Sequence, residues 1–248
     1  MPVSATMQPT QAPPRILLRI EAVTKTFGPT TALRDCSLSL MAGEVHAVMG
    51  ENGSGKSTLV EMMAEAYGLN PQGGSILAPQ LRDRESEPHA GHRLTVEREP
   101  GRHAWAYFLR ADTMQSLYTY LEDNPSRTRP PERLRELSHG EGFLRILRTR
   151  VNQPGFYLLD EPDAPLSFVA CLGLVALLYD LAREGSQAVV ATHSPIVAAV
   201  PGAHVLELGD WGIRPARWAD LDIVQEWRGF LNDPQLYLRH LLTGDPEP

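Results

Sequence analysis

Eight consecutive residues, Gly50-Glu51-Asn52-Gly53-Ser54-Gly55-Lys56-Ser57, constrain this chain more than any other stretch. They have the form G-x-x-x-x-G-K-[ST], in which glycines let backbone N–H groups converge on phosphate oxygens at the start of a helix. A strand must deliver the chain to such a loop and a helix must lead it away. Both are legible: Glu44 to Met49 is a short β-type run, and Ser57 to Ala66 reads as a helix that Gly68 can stop. Lys56 is then placed to reach the β- and γ-phosphates as a point charge. The Ser57 hydroxyl is a ligand for Mg²⁺, and Thr58 joins the cradle in the first helical turn.

Three further segments carry candidate chemistry. Phe156 to Glu161 is a buried-strand run ending in two adjacent carboxylates, whose side chains must leave the strand on opposite sides. Asp160 is the candidate anchor for Mg²⁺, through water, and Glu161 the group that orients or deprotonates an attacking water. Leu137-Ser138-His139-Gly140-Glu141 precedes the helical pattern Phe143, Leu144, Leu147, Val151, with Ser138 as its N-cap. Alone it is a capped helix. Beside a phosphate loop it is also a second anion site, in which Ser138, Gly140 and Glu141 face the γ-phosphate held by another molecule. Thr192-His193-Ser194 follows a strand at Ala188 to Ala191, which makes His193 a γ-phosphate sensor and a partner of Glu161.

Around these segments the chain reads as one α/β domain over residues 15–245, with a disordered tail at 1–14 rich in Pro, Gln, Thr and Ala. Ile16 to Val23 and Ser37 to Leu40 are paired strands, and residues 79–104 are charged, irregular or edge-strand surface. A helical subdomain is expected at about 105–150, although Ala106 to Leu109 is strand-like. Strands then alternate with helices, including Phe168 to Ala182, which implies a mainly parallel sheet covered on both faces. The twelve-residue apolar run Phe168 to Tyr179 is too short to span a bilayer and reads as a core helix. Near the end, Ile223, Val224, Trp227, Phe230 and Leu231 share one helical stripe, and Asp233-Pro234 starts a last short helix. Thirty acidic against 23 basic residues give a net charge of −7, which disfavours a broad polyanion-binding surface. Seven Arg against three Glu between Ser126 and Arg150 keep nucleic acid as a local option only. Cys36 and Cys171 have no neighbours at metal-ligand spacing and are expected to be reduced packing residues. The tail has no apolar core of a leader peptide, so a cytoplasmic protein is expected.

Taken in order, these residues resemble the ATP-binding cassette (ABC) family of P-loop NTPases over residues 16–242. Gly50 to Ser57 is like its Walker A loop, Asp160 its Walker B carboxylate, Glu161 its catalytic base, Leu137 to Glu141 its signature and His193 its switch histidine. Phe27 is similar to the aromatic residue on which the family stacks adenine. The resemblance implies an antiparallel β subdomain near the N-terminus, a small helical subdomain, and ATP hydrolysis with Mg²⁺ in a head-to-tail homodimer acting on an unknown protein partner. Residues 20–60 are similar to solute-importer ATPase subunits, which implies a membrane subunit as an alternative partner. The second half, from Ser138-His139-Gly140-Glu141 through Asp160 to Ser167 and Phe230 to Pro234, is more like compact stand-alone ATPases related to chromosome maintenance and DNA repair. His139, Glu141 and Ser167 depart from the family's usual Gly, Gln and Asp, which bears on the rate and coupling of hydrolysis and leaves ATP binding untouched. A nucleotide-gated switch with little turnover follows as a further alternative. Arg110 and Gln115 both remain candidates for the position of the family's lid glutamine.

Overall fold

A computed structural model describes residues 16–41, 43–75, 93–96, 105–111 and 139–243. The first two strands, β1 (Ile16–Phe27) and β2 (Thr30–Met41), form a long hairpin, and β5 (Arg93–Val96) pairs with β1 on its other side. All pairings in this three-stranded sheet are antiparallel. Ala22 and Asp35 sit at φ 50° and 47°, and the register shifts beside Ala22. Through these irregularities the inward set passes from Leu18 and Ile20 to Val23, and on β2 it runs Leu33, Cys36, Leu40.

The larger sheet has seven strands in the order β10-β9-β3-β8-β7-β6-β4. Five are mutually parallel: β9 (His204–Gly209), β3 (Val45–Met49), β8 (Gln187–Ala191), β7 (Gly155–Asp160) and β6 (Trp105–Arg110). The short strands β10 (Gly212–Pro215) and β4 (Gly74–Ser75) pair antiparallel at its edges. Every residue of β3 and β8 is buried, the pattern of strands covered on both faces.

On one face α1 (Lys56–Tyr67) and the hairpin close over Val48, Phe108, Phe156 and Leu158, with Leu59, Met63 and Tyr67 as the helical contribution. On the other, α2 (His139–Arg150) and α3 (Phe168–Arg183) cover Tyr157, Leu159 and Val190 with Phe143, Leu147, Leu174 and Leu178. Ser167 starts α3, its hydroxyl accepting a hydrogen bond from the Ala170 N–H at 3.3 Å. A mainly parallel sheet, helices on both faces and an N-terminal antiparallel β subdomain match the expected architecture.

Two expectations change, and a third element forms as expected with its stripe largely exposed. Trp105–Arg110, assigned to the start of a helical subdomain, is instead the strand β6 of the central sheet, with Ala106 to Leu109 buried. The apolar run Phe168 to Tyr179 buries one face only, since Phe168, Val169, Leu172 and Tyr179 are exposed. The C-terminal stripe forms α4 (Asp222–Asn232), followed by α5 (Pro234–Thr243), but Val224 is its one fully buried member and Trp227, Phe230 and Leu231 face out. Among the described residues no helix is long and apolar enough to cross a membrane. Residues 1–14, Gln115 and Ser138 lie outside the described part of the chain.

Because the inner strands are parallel, their C-terminal ends share one edge. Met49, Ala191, Asp160 and Arg110 therefore end neighbouring strands: β3 beside β8, β8 beside β7, β7 beside β6. Ala191 is the register partner of Val48 and of Asp160, and Asp160 is that of Arg110. This row is where the candidate residues meet.

Candidate functional site

The loop after β3 is shaped by its glycines. Gly55 has φ 93°, and a Cβ there would lie 2.0 Å from the Ala32 carbonyl oxygen, so only glycine lets β2 pack against the loop. A Cβ on Gly50 would lie 2.5 Å from the Leu208 carbonyl of β9. The Leu59 N–H donates to the Gly55 carbonyl at 2.9 Å and closes the first turn of α1. No side chain caps this helix and no acid lies in its first turn, so the positive helix end is left to an anionic ligand.

Lys56 is 4% exposed and donates to the Gly50 and Glu51 carbonyls, both at 2.9 Å. Two of the three ammonium donors thus arch the loop over the lysine. Burial pushes the Lys56 pKa down, against the pull of Glu161, Asp160 and Asp163 nearby.

Ser57, one residue into α1, donates its hydroxyl proton to Asp160 Oδ1 at 3.0 Å. Asp160 is 5% exposed, and burial pushes its pKa up to about 6, with the Ser57 hydrogen bond and the Arg110 charge acting in the opposite sense. Glu161 leaves the strand in the left-handed region at φ 50°, its N–H donating to the Ala191 carbonyl at 2.8 Å. That turn separates the two carboxylates: Asp160 faces Ser57, and Glu161 Oε1 lies 3.2 Å from His193 Nε2, a contact without hydrogen-bond alignment. The loop after β8 is tied to the loop after β7. The Thr192 hydroxyl donates to the Asp163 carboxylate and accepts from the Ser194 N–H at 2.9 Å, which holds His193 at the strand end.

Lys56, Ser57, Asp160, Glu161 and His193 therefore stand together at one sheet edge. Thr58 lies in the first turn of α1, half-buried. Glu51 to Ser54, with His193 and Trp211, border a cavity of about 350 Å³ beside the loop. Phe27 is exposed at the tip of the β1–β2 hairpin, its ring 5.2 Å from Lys25 Nζ. Gly140 and Glu141 lie in the first turn of α2.

Two participants were not singled out as a pair by the sequence. Arg110 Nη1 donates to Glu61 Oε1 at 2.5 Å and to the Pro71 carbonyl at 3.3 Å. Glu61 lies four residues after Ser57, so the two share one face of α1, and that spacing was the available signal.

Oxygen donors dominate here, as Mg²⁺ requires. Among the described residues no three His, Cys, Asp or Glu side chains form a metal cage. Mg²⁺ needs none, being held by one or two protein oxygens together with substrate phosphates and water. Ser57 and Asp160, adjacent and partly desolvated, fit that description.

A family model described as ABC transporter matches residues 33–164, more than half of the 248 residues. The chain belongs to the ABC transporter family. This ABC ATPase domain is 30% identical over 198 residues to "Ribose import ATP-binding protein RbsA 2" of Agrobacterium fabrum, covering 72% of this chain and 39% of that protein. It is 30% identical over 224 residues to the protein of the same name in Streptomyces coelicolor, covering 79% of this chain and 42% of that one. The chain thus spans about two fifths of the length of these relatives. Among solved structures, a nucleotide-free ATP-binding cassette from an ABC transporter superposes with a TM-score of 0.52 at 18% identity, over 90% of this chain and 98% of that one. A cassette in a post-hydrolysis state bound to ADP and Pi gives 0.52 at 18% identity, over 83% of this chain and all of that one. These likenesses establish the cassette fold.

Proposed function

We propose that this ABC ATPase domain binds ATP with Mg²⁺ and hydrolyses its β–γ bond, working as a head-to-tail homodimer. The observation that carries the reading is the Ser57–Asp160 contact of 3.0 Å beside the buried Lys56, with Glu161 and His193 paired at 3.2 Å on the next strand ends. Loop amides and the third donor of Lys56 take the phosphate oxygens, and Phe27 offers its exposed ring to adenine. Ser57 and Asp160 would hold Mg²⁺, which when bound would supply positive charge to the phosphates. Glu161 accepts a proton from the attacking water as the water oxygen bonds to the γ-phosphorus and the bridging oxygen leaves on ADP. His193 donates to the γ-phosphate and steadies Glu161.

Ser138, with Gly140 and Glu141 of the first turn of α2, is assigned to the γ-phosphate bound by a second copy. A helix N-terminus supplies the amides for that task. Sizing of Glu161→Gln in Mg-ATP tests the arrangement: its mass is expected to double, and adding Lys56→Ala should abolish the doubling. A monomer at saturating ATP, or a dimer unaffected by Lys56→Ala, would count against the dimer and the loop assignment respectively.

For the work done by the cycle, the leading reading is a soluble ATPase acting on a protein partner, as the stand-alone character of Asp160 to Ser167 and Phe230 to Pro234 suggests. The likeness to ribose import ATP-binding proteins favours a second reading, the ATP-binding subunit of an importer. Co-purification with a polytopic membrane protein would select the second, and recovery without one from solubilised membranes the first.

A further inference from the structure

We propose that Arg110 is a positioning residue for the Mg²⁺ site, acting through Glu61 to hold α1 at the angle that keeps Ser57 against Asp160. The inference rests on the assignment of Ser57 and Asp160 to Mg²⁺ made above.

The geometry is a ladder of two rungs. On one side stands α1, which presents Ser57 and Glu61 on the same face, one turn apart. On the other stand the ends of β7 and β6, neighbouring parallel strands in which Asp160 and Arg110 are direct register partners. Ser57 to Asp160 is the upper rung at 3.0 Å, and Glu61 to Arg110 the lower at 2.5 Å. Core packing of Leu59, Met63 and Tyr67 sets the gross position of α1, while the fine placement of its exposed-side oxygens depends on polar contacts. A second contact one turn later, to an adjacent strand, narrows that placement. Arg110 also donates to the Pro71 carbonyl at 3.3 Å, which ties the segment after α1 to the same strand end.

The rungs differ in character. The upper one is a hydroxyl–carboxylate pair whose two oxygens would serve as ligands when Mg²⁺ binds. The lower is an ion pair whose two charges compensate each other, so it stiffens the site while adding little net charge beside the metal position. Both bonds leave the one nitrogen Nη1, so a lysine ammonium at the same height can replace part of the contact, although without the charge spread of a guanidinium.

The test is ATP binding by the full chain in EDTA and across a Mg²⁺ titration, for wild type, Arg110→Gln, Arg110→Lys and Glu61→Gln. With Arg110→Gln, the Mg²⁺ concentration that gives half of the affinity gain should rise on the order of 10–100-fold, the usual effect of losing an outer-shell partner. Binding in EDTA should stay at the wild-type level. Glu61→Gln should reproduce this, the double variant should be no worse than either single one, and Arg110→Lys should recover part of the loss. A folded Arg110→Gln protein with the wild-type Mg²⁺ dependence overturns the proposal. So does an equal loss of binding in EDTA, which marks a general packing role. If wild type itself gains nothing from Mg²⁺, the assignment of Ser57 and Asp160 fails first, and that result is distinct from either.

Discussion

Asp160 is a carboxylate that the fold makes uncomfortable. Its pKa is raised from 3.8 to about 6, chiefly by burial. A raised folded pKa means that its contribution to stability is complete below the ordinary carboxylate value and is lost as pH rises through about 6. At neutral pH without metal, a buried and ionised Asp160 therefore opposes folding, by on the order of 3 kcal/mol. Asp160→Asn should melt at a higher temperature than wild type at pH 7.5 in EDTA, and the difference should shrink below pH 4. Equal melting temperatures at pH 7.5 would show that the carboxylate is not strained there. The same residue scale shows what was legible in advance. Lys56, Ser57, Asp160, Glu161 and His193 could be chosen from the sequence because short motifs with a fixed chemistry surround each. Glu61 and Arg110 could not be paired, because their meeting depends on β6 lying beside β7, and strand order is not written in local spacing.

At the scale of elements, the loop between β3 and α1 is held by backbone approaches that only glycine permits. Gly55→Ala would force a left-handed φ on an L-residue, costing roughly 1–2 kcal/mol, and would also drive a Cβ into the Ala32 carbonyl. The variant should lower the melting temperature and remove ATP binding together, since the hairpin and the loop must separate to admit the methyl group. Retained ATP affinity in Gly55→Ala would show that the loop relaxes independently of β2. Most elements could be read from composition: β3, α1, β7, α3 and β8 fall within a residue or two of the expected runs. The misread boundary at Trp105 has a physical cause. A strand buried on both faces has no alternation, and the apolar density of β6 continues toward Leu121 without a glycine or proline to separate them. The α4 stripe forms the expected helix but stays largely uncovered. Periodicity tells which residues share a face, but whether anything covers that face is decided by the rest of the molecule.

At the scale of the whole molecule, five parallel strands bring residues 56, 160 and 193 to one edge although they are far apart in sequence. The chain-order pattern of motifs was therefore a three-dimensional statement, and it is why membership of the ABC family could be suspected before any coordinates. In the proposed reading His139, Glu141 and Ser167 bear on turnover, while ATP binding rests on the phosphate loop. The decisive quantity is accordingly a rate. Phosphate release from Mg-ATP should be compared for wild type and Glu161→Gln at equal, saturating ATP occupancy. The expected result is measurable release by wild type and a fall of at least about a hundredfold in the variant, the scale of a lost general base. Equal rates in the two proteins would contradict the role given to Glu161, and with it the hydrolytic cycle proposed for this site.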